Sequence, residues 1–225
     1  MVSQDERRHM AQRIFVPGLN LATALQTVAQ AGAAFVGQAL TDPFRRQLQQ
    51  EVEQGPFEPV PEAIGPVRQE TEVYVIPDPC AGAHGGSAPA GPAYPCVAAL
   101  CRAFTEVVRA SGRGIGGLDR YAPNVAYVQR YRPGSLGISS HLDGKRFAYL
   151  VAVFTSAGSA TFSISHTRSG PPVHTWEAGP GSLVLLRGPH LAGVPNGRPF
   201  HAVAGPVDQA RYSVTFRMDT RHSQQ

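Results

Sequence analysis

Apolar and polar positions follow two different rhythms along this chain. In its first part the apolar positions recur at three- and four-residue spacing. Leu21 to Gln30 reads as a helix, with Asn20 placed to cap its first turn and Gly32 to end it. A short strand, Ala33 to Gly37, follows. Thr41-Asp42-Pro43 then opens a second helix that carries Phe44, Leu48 and Val52 on one side. Pro and Gly interrupt Gly55 to Pro66, and Arg68 to Ile76 reads as a strand. A third helix, Cys96 to Ala110, shows apolar spacing at Val97, Leu100, Phe104, Val107 and Val108 and ends near Gly112. Between that strand and helix, Pro77 to Pro95 is rich in Pro, Gly and Ala and has no period. A loop of that length is expected to be a lid, a binding loop or a disordered segment.

Beyond the third helix the rhythm changes to short β segments. They are Asn124–Tyr131, Gly137–His141, Phe147–Phe154, Ala160–His166, Val173–Glu177, Ser182–Leu186, Pro199–Ala204 and Ala210–Arg217. Pro133-Gly134, Ala157-Gly158, Gly179-Pro180-Gly181 and Asn196-Gly197 punctuate them. Eight short strands preceded by helices predict an α+β fold. Its core is a double-stranded β-helix (jelly roll), with the N-terminal and mid-chain helices packed on one sheet. No internal repeat is visible. A chain of 225 residues can bury one substantial core, so residues 1–225 are expected to form a single domain. Residues 1–120 would supply a helical, lid-forming part and residues 121–220 the jelly-roll core.

Composition narrows this only a little. With 42% hydrophobic and 16% charged residues the chain reads as globular. Its formal net charge is +4, carried almost wholly by arginine, since Lys145 is the one lysine. No basic run occurs, so the charge permits an anionic ligand or nucleic acid without demanding either. Cys80, Cys96 and Cys101 are odd in number and lack CxxC spacing, which argues against a disulfide framework or zinc site and for a reducing cytosol. Met1 to Arg13 is polar and lacks a signal-peptide core, and no apolar run approaches the roughly 20 residues of a spanning helix. A cytoplasmic protein with no membrane contact is the expectation; the oligomeric state is not legible.

The chemistry concentrates at His141-Leu142-Asp143, with His201 sixty positions after the first histidine and Arg211-Tyr212-Ser213 ten after the second. On extended chain His141 and Asp143 point the same way and Leu142 the other. A histidine on a neighbouring strand can complete one face of an octahedron. Two neutral imidazoles and a carboxylate leave three adjacent positions open, the arrangement of mononuclear non-haem Fe(II) oxygenases. Zinc could use the same ligands, but the downstream arginine would then have no purpose. Arg211, Ser213, Thr215 and Arg217 alternate along one strand. Two guanidiniums on an inner face are costly without a partner, and a dicarboxylate supplies one.

These residues resemble the Fe(II)/2-oxoglutarate-dependent dioxygenase superfamily over roughly Tyr127 to Arg217. Arg211-Tyr212-Ser213 is similar to the arginine-x-serine motif of the small-molecule oxidase branch. The longer string Arg211 to Arg217, Arg-Tyr-Ser-Val-Thr-Phe-Arg, is similar to the two-arginine ending of AlkB-type nucleic-acid dealkylases, with Ser213 where those usually have asparagine. Gln129-Arg130-Tyr131 resembles their asparagine-x-tyrosine, departing from it at Gln129. The resemblance implies iron at His141, Asp143 and His201. It implies 2-oxoglutarate as cosubstrate, its distal carboxylate on Arg211 with Ser213 and Tyr131, and Arg217 and Gln129 as further contacts. O₂ would be the oxidant, and hydroxylation would release succinate and CO₂. The presence of Asp143 argues against a halogenase, which lacks that carboxylate.

Each residue has a plainer reading. His-x-Asp alone is common on edge strands. His190, in Gly188-Pro189-His190, competes with His201 but lies 21 residues before Arg211 (211 − 190) and outside a clear strand. His166 and His174 flank a hairpin and read as exposed or structural, Tyr131 as core, Arg217 as solvated. The conjunction favours the iron site. Arg68 to Glu72, the Pro77–Pro95 loop and Lys145-Arg146-Phe147 are the candidate substrate-facing elements. The loop has only Tyr94 as an aromatic, and the lone Trp176 falls in a strand. Base-sandwiching aromatics are thus scarce, which favours a small-molecule or peptide-type substrate over nucleic acid. A non-catalytic jelly-roll binding module is the third alternative, disfavoured by the intact triad.

Overall fold

The computed structural model describes residues 12–80 and 94–222. Among the described residues three long helices precede the β-rich region. In α1 (Leu21–Ala31), Leu21, Ala24, Leu25 and Val28 are buried at helical spacing. Asn20 Oδ1 accepts from the amides of Ala22 and Thr23, and the helix ends at Gly32 in the left-handed region, as its sequence predicts. Helix α2 (Asp42–Glu53) starts with Pro43 in its first turn and buries Phe44, Leu48 and Val52. Helix α3 (Pro95–Ser111) has no capping side chain of its own. Glu51 of α2 replaces it: its carboxylate accepts from the amides of Cys96 and Val97 at 2.7 and 2.9 Å. A negative charge on those first-turn amides also opposes the helix dipole favourably.

Thirteen strands form among the described residues: β1 (Ala33–Val36), β2 (Glu58–Pro59), β3 (Ala63–Ile64), β4 (Val67–Glu70), β5 (Glu72–Pro77), β6 (Val125–Tyr131), β7 (Gly137–His141), β8 (Phe147–Ala157), β9 (Ala160–Ser165), β10 (Pro172–Ala178), β11 (Leu183–Arg187), β12 (Phe200–Ala204) and β13 (Arg211–Asp219). They make two antiparallel sheets, in order β1-β11-β8-β13-β6-β5-β2 and β10-β9-β12-β7-β4-β3. This is the jelly roll expected from the strand spacing. The three helices lie against the seven-stranded sheet.

That arrangement produces two cores from one set of strands. On β8, Leu150, Ala152 and Phe154 face the helices, while Val151 and Val153 face the space between the sheets. Both faces of β8 and β11 are buried, so these strands read as continuous apolar runs. Phe104 of α3 packs edge-on against Phe154, with centroids 5.1 Å apart, and also against Phe216. On β13 the alternation separates Val214 and Phe216, in the helix-side core, from Arg211, Thr215 and Arg217, which line the cavity between the sheets.

Three expectations change. The stretch Arg68 to Ile76 is two strands: β4 joins the six-stranded sheet beside β7, and β5 joins the seven-stranded sheet beside β6. The chain crosses between sheets at buried Thr71, a break that alternation cannot reveal because both halves keep period two. The interrupted region before it holds the short strands β2 and β3. The cysteine argument is also overturned, for Cys80 and Cys101 form a disulfide with Cα atoms 5.4 Å apart. Parity only requires that one of three cysteines be left over, here Cys96. Pairing depends on the packing of the β5 exit against α3, and the case for a reducing compartment falls with it. Residues 81–93 of the expected lid lie outside the described residues. No helix among the described residues is long and apolar enough to cross a membrane.

Candidate metal centre

Strand pairing assembles the site. β7 and β12 are antiparallel neighbours in the six-stranded sheet, and their register sets His201 opposite His141. The two rings lie 4.2 Å apart. Asp143 follows β7 by two residues, and a ligand atom from each of the three side chains lies within 4.8 Å of the others. His190 is elsewhere, exposed in a loop with left-handed backbone, and His166 and His174 are exposed on the β9–β10 hairpin.

The surroundings prepare these three side chains as ligands. His141 Nδ1 lies 2.9 Å from the Ser139 carbonyl, and His201 Nδ1 lies 3.2 Å from that of Pro199. A carbonyl only accepts, so each Nδ1 carries the proton and each Nε2 keeps its lone pair for a metal. Burial pushes both imidazoles toward the neutral form, and His201 titrates at about 4. Burial would raise Asp143, but the Arg217 guanidinium at 2.9 Å from Oδ1, together with the neighbouring imidazoles, holds the carboxyl below its usual range. At neutral pH the site therefore offers two neutral nitrogens and one carboxylate. Asp143 Oδ2 is buried, has no hydrogen-bond partner among the described residues, and lies 3.8 Å from His201 Nε2. A divalent cation held between the three side chains would satisfy it, so the donor set and its unmet oxygen fit Fe(II).

Arg217 also stacks over the rings of Tyr127 and Phe147, at 4.6 and 4.9 Å. Phe162 stacks on His201 with its plane tilted by 3°.

The same cavity contains Arg211, the largest fully buried side chain among the described residues. Its Nη1 donates to Ser213 Oγ at 3.3 Å and its Nη2 to Thr155 Oγ1 at 3.0 Å. The guanidinium lies over the Tyr131 ring at 5.3 Å, while Nε has no hydrogen-bond partner among the described residues. No carboxylate pairs with it among the described residues, and burial disfavours its charge. Tyr131 lies across the β6–β13 ladder from Arg211, and Gln129 lies across from Ser213. Gln129 Nε2 donates to the Tyr131 hydroxyl at 3.2 Å, and Thr215 Oγ1 donates to Gln129 Oε1 at 3.3 Å.

Gln129, Tyr131, His141, Asp143, His201, Arg211 and Arg217 thus line one cavity, while Ser213 sits behind Arg211 as its hydrogen-bond partner. Sequence reasoning missed Thr155, and with it the walls Ile138, Val153, Phe162 and Val203. Thr155-Ser156 was visible as a polar break in an apolar strand, but no spacing rule connects it to a residue 56 positions away.

Several solved structures resemble this architecture. A prolyl-4-hydroxylase from Pseudomonas putida superposes with a TM-score of 0.59 at 18% identity, over 89% of this chain and 100% of its own. An oxidoreductase of the 2OG-Fe(II) oxygenase family from Burkholderia pseudomallei gives 0.57 at 13% identity, covering 91% of this chain and 92% of its own. A prolyl hydroxylase from Trichoplax adhaerens, solved with a hypoxia-inducible-factor peptide fragment, gives 0.56 at 13%, covering 99% and 98%. The fold is that of the 2-oxoglutarate/Fe(II) oxygenases. No protein-family model and no curated protein sequence matches the chain. The oxygenase fold is therefore carried here by a sequence only 13–18% identical to those three structures.

Proposed function

We propose that this chain is an Fe(II)- and 2-oxoglutarate-dependent dioxygenase. It acts as a single domain and hydroxylates or otherwise oxidises a small-molecule or peptide-type substrate. The observation that carries this reading is a buried Arg211, paired with no carboxylate among the described residues, in the same cavity as the His141, Asp143 and His201 cluster. A buried guanidinium without an anion costs several kcal/mol, and a metal-chelating dicarboxylate answers both ends of the cavity at once.

His141 Nε2, His201 Nε2 and Asp143 would hold the metal. Arg211 would grip the distal carboxylate of 2-oxoglutarate through the Nε–H that has no partner and the donors not used on Thr155 and Ser213. When bound, Fe(II) and 2-oxoglutarate supply the oxidising chemistry, coupling reduction of O₂ and release of succinate and CO₂ to oxidation of a substrate C–H bond. The Ser139 and Pro199 carbonyls keep the imidazoles in the ligating tautomer. Arg217 would keep Asp143 ionised, engaging Oδ1 and leaving Oδ2 for the metal. Ile138, Val153, Phe162 and Val203 wall the cavity against water, which strengthens the Arg211–carboxylate pairing.

What surrounds the centre supports a small-molecule or peptide-type substrate. A flipped base needs free aromatic faces, yet none of the large hydrophobic side chains exposed among the described residues is aromatic. Tyr127 and Phe147 are covered by Arg217, and Trp176 is stacked on Phe35. One observation favours an AlkB-like demethylase as the second reading: Arg211 and Arg217, which end the AlkB-like string, are divided between the base of the cavity and the metal-ligand carboxylate.

Anaerobic addition of Fe(II) and 2-oxoglutarate is expected to produce a weak visible charge-transfer band that is absent in His141→Ala. No band in the native protein would refute the oxygenase reading. Succinate release driven by methylated oligonucleotides, and by no metabolite or peptide, would select the demethylase.

A further inference from the structure

Two arginines from separate chain segments reach the backbone beside the metal-centre residues, and a lysine follows Asp143 closely in sequence. Lys145 stands two residues beyond Asp143 and is exposed. Arg198, three residues before His201, donates from Nη1 to the backbone carbonyl of Asp143 itself. Its Nε is fixed by the Asn196 side chain at 2.9 Å. Arg168 comes from the β9–β10 turn. Its Nη1 donates to the carbonyl of Ser140, the residue before His141, and its guanidinium lies 5.4 Å from the centroid of the Phe200 ring.

The local carboxylates are already engaged. Asp143 is taken by Arg217, and Asp219 by Arg146 and Arg221. Among the described residues none of Lys145, Arg168 and Arg198 pairs with a carboxylate. Two of the three are guanidiniums tethered through one or two donors to the backbone or to Asn196, with their remaining donors unassigned. Tethering reduces the rotamer freedom lost on binding, and a planar fork matches a carboxylate or phosphate in two-point fashion. Structural need does not account for all three, because capping a single carbonyl does not call for a full charge.

Resting on the oxygenase reading above, we propose that the substrate carries an oxyanion, a carboxylate or a phosphate, received by Arg168 and Arg198 with Lys145 beside them. This group would anchor the substrate while a neutral C–H bond is presented to the metal centre. The pairing is with the anionic group of a small molecule or peptide. A nucleic-acid backbone is the competing source of the same chemistry, disfavoured by the lack of exposed aromatic faces for its bases among the described residues.

The test uses the full chain with Fe(II) and 2-oxoglutarate and begins with the anaerobic charge-transfer band, whose absence would count against the oxygenase reading alone. Succinate release is then measured over matched pairs: N-acetyl amino acids and their amides, and sugar phosphates and their free sugars. The acid or phosphate member of productive pairs is expected to be used at least about tenfold better. Arg168→Gln and Arg198→Gln should each raise KM for that member about tenfold or more, while half-saturation by 2-oxoglutarate, set at Arg211, moves less than twofold. Equal use of neutral members, an unchanged preference in both variants, or turnover of single-stranded oligonucleotides alone would overturn the proposal. Phenylglyoxal labelling mapped by mass spectrometry reads the site even if no panel member turns over. Inorganic phosphate should shield Arg168 and Arg198 but not exposed Arg113, and failure to shield them overturns the proposal equally.

Discussion

Replacing Arg211 by glutamine separates a structural cation from one kept for a ligand. In the ligand-free protein the side chain is wholly buried and held by the Thr155 and Ser213 hydroxyls and the Tyr131 ring. The substitution removes two charge-assisted hydrogen bonds, each contributing about 1.5–3 kcal/mol. It also removes the desolvation penalty of an unpaired buried charge, several kcal/mol after relaxation. The two nearly cancel, so the stability of the ligand-free protein in urea should change by about 1 kcal/mol or less. Binding should respond quite differently. Loss of a buried guanidinium–carboxylate pair costs about 3–5 kcal/mol, which lowers 2-oxoglutarate affinity by roughly two to three and a half orders of magnitude. Saturating 2-oxoglutarate with Zn(II) in place of iron should therefore stabilise the native protein by about 2.7 kcal/mol at a hundred times Kd and leave Arg211→Gln almost unmoved. The assay is urea denaturation with and without 2-oxoglutarate. If Arg211→Gln unfolds the ligand-free protein by 3 kcal/mol or more, the guanidinium is a structural element and the cosubstrate argument fails.

Other expectations test separate parts of the molecule. His201 is depressed to about 4 by burial, so its folded pKa lies below the unfolded value of 6.5. The unfolded chain then binds more protons between those values, and metal-free protein should lose at most about 3 kcal/mol as pH falls from 6.5 through 4. Glu72 is held at about 2 by Arg132 and Arg130 against an ordinary 4.5, so its contribution disappears only below pH 4.5, and Glu72→Gln should flatten that lower limb alone. Glu51→Gln removes the charge that caps α3 and should cost about 1 kcal/mol in urea unfolding. The same change relieves part of what raises the Cys96 thiol to about 12, where burial acts first and Glu51 second, so iodoacetamide should label Cys96 faster at pH 8. Cys101→Ser opens the disulfide that bridges a separation of 21 residues and should cost about 2–4 kcal/mol, measured by comparing melts with and without reductant. Arg217→Met leaves Asp143 without its cation and should weaken Fe(II) binding about 10–100-fold, read by competition with a chelating dye.

Local physics made much of this molecule legible from its residues. The cap at Asn20, the left-handed Gly32 and the faces of α1 and α2 depend on neighbours within a few positions, and they appear where the pattern predicts them. The eight core strands follow from their two-residue period and turn residues, with β8 and β13 running on to Ala157 and Asp219. His141, Asp143, His201 and Arg211 could be singled out because their spacing on strands limits which faces they share. Only the tertiary structure decided the rest, since it turns on contacts between distant segments. Thr71 sends two halves of one periodic stretch into different sheets, Glu51 caps a helix 45 positions away, and Cys80 meets Cys101 through packing that parity cannot foresee. Thr155 under Arg211 and Arg217 on Asp143 are of the same kind. Sequence periodicity determines which way a side chain faces; what it meets there is determined by the sheet pairing that closes the sandwich.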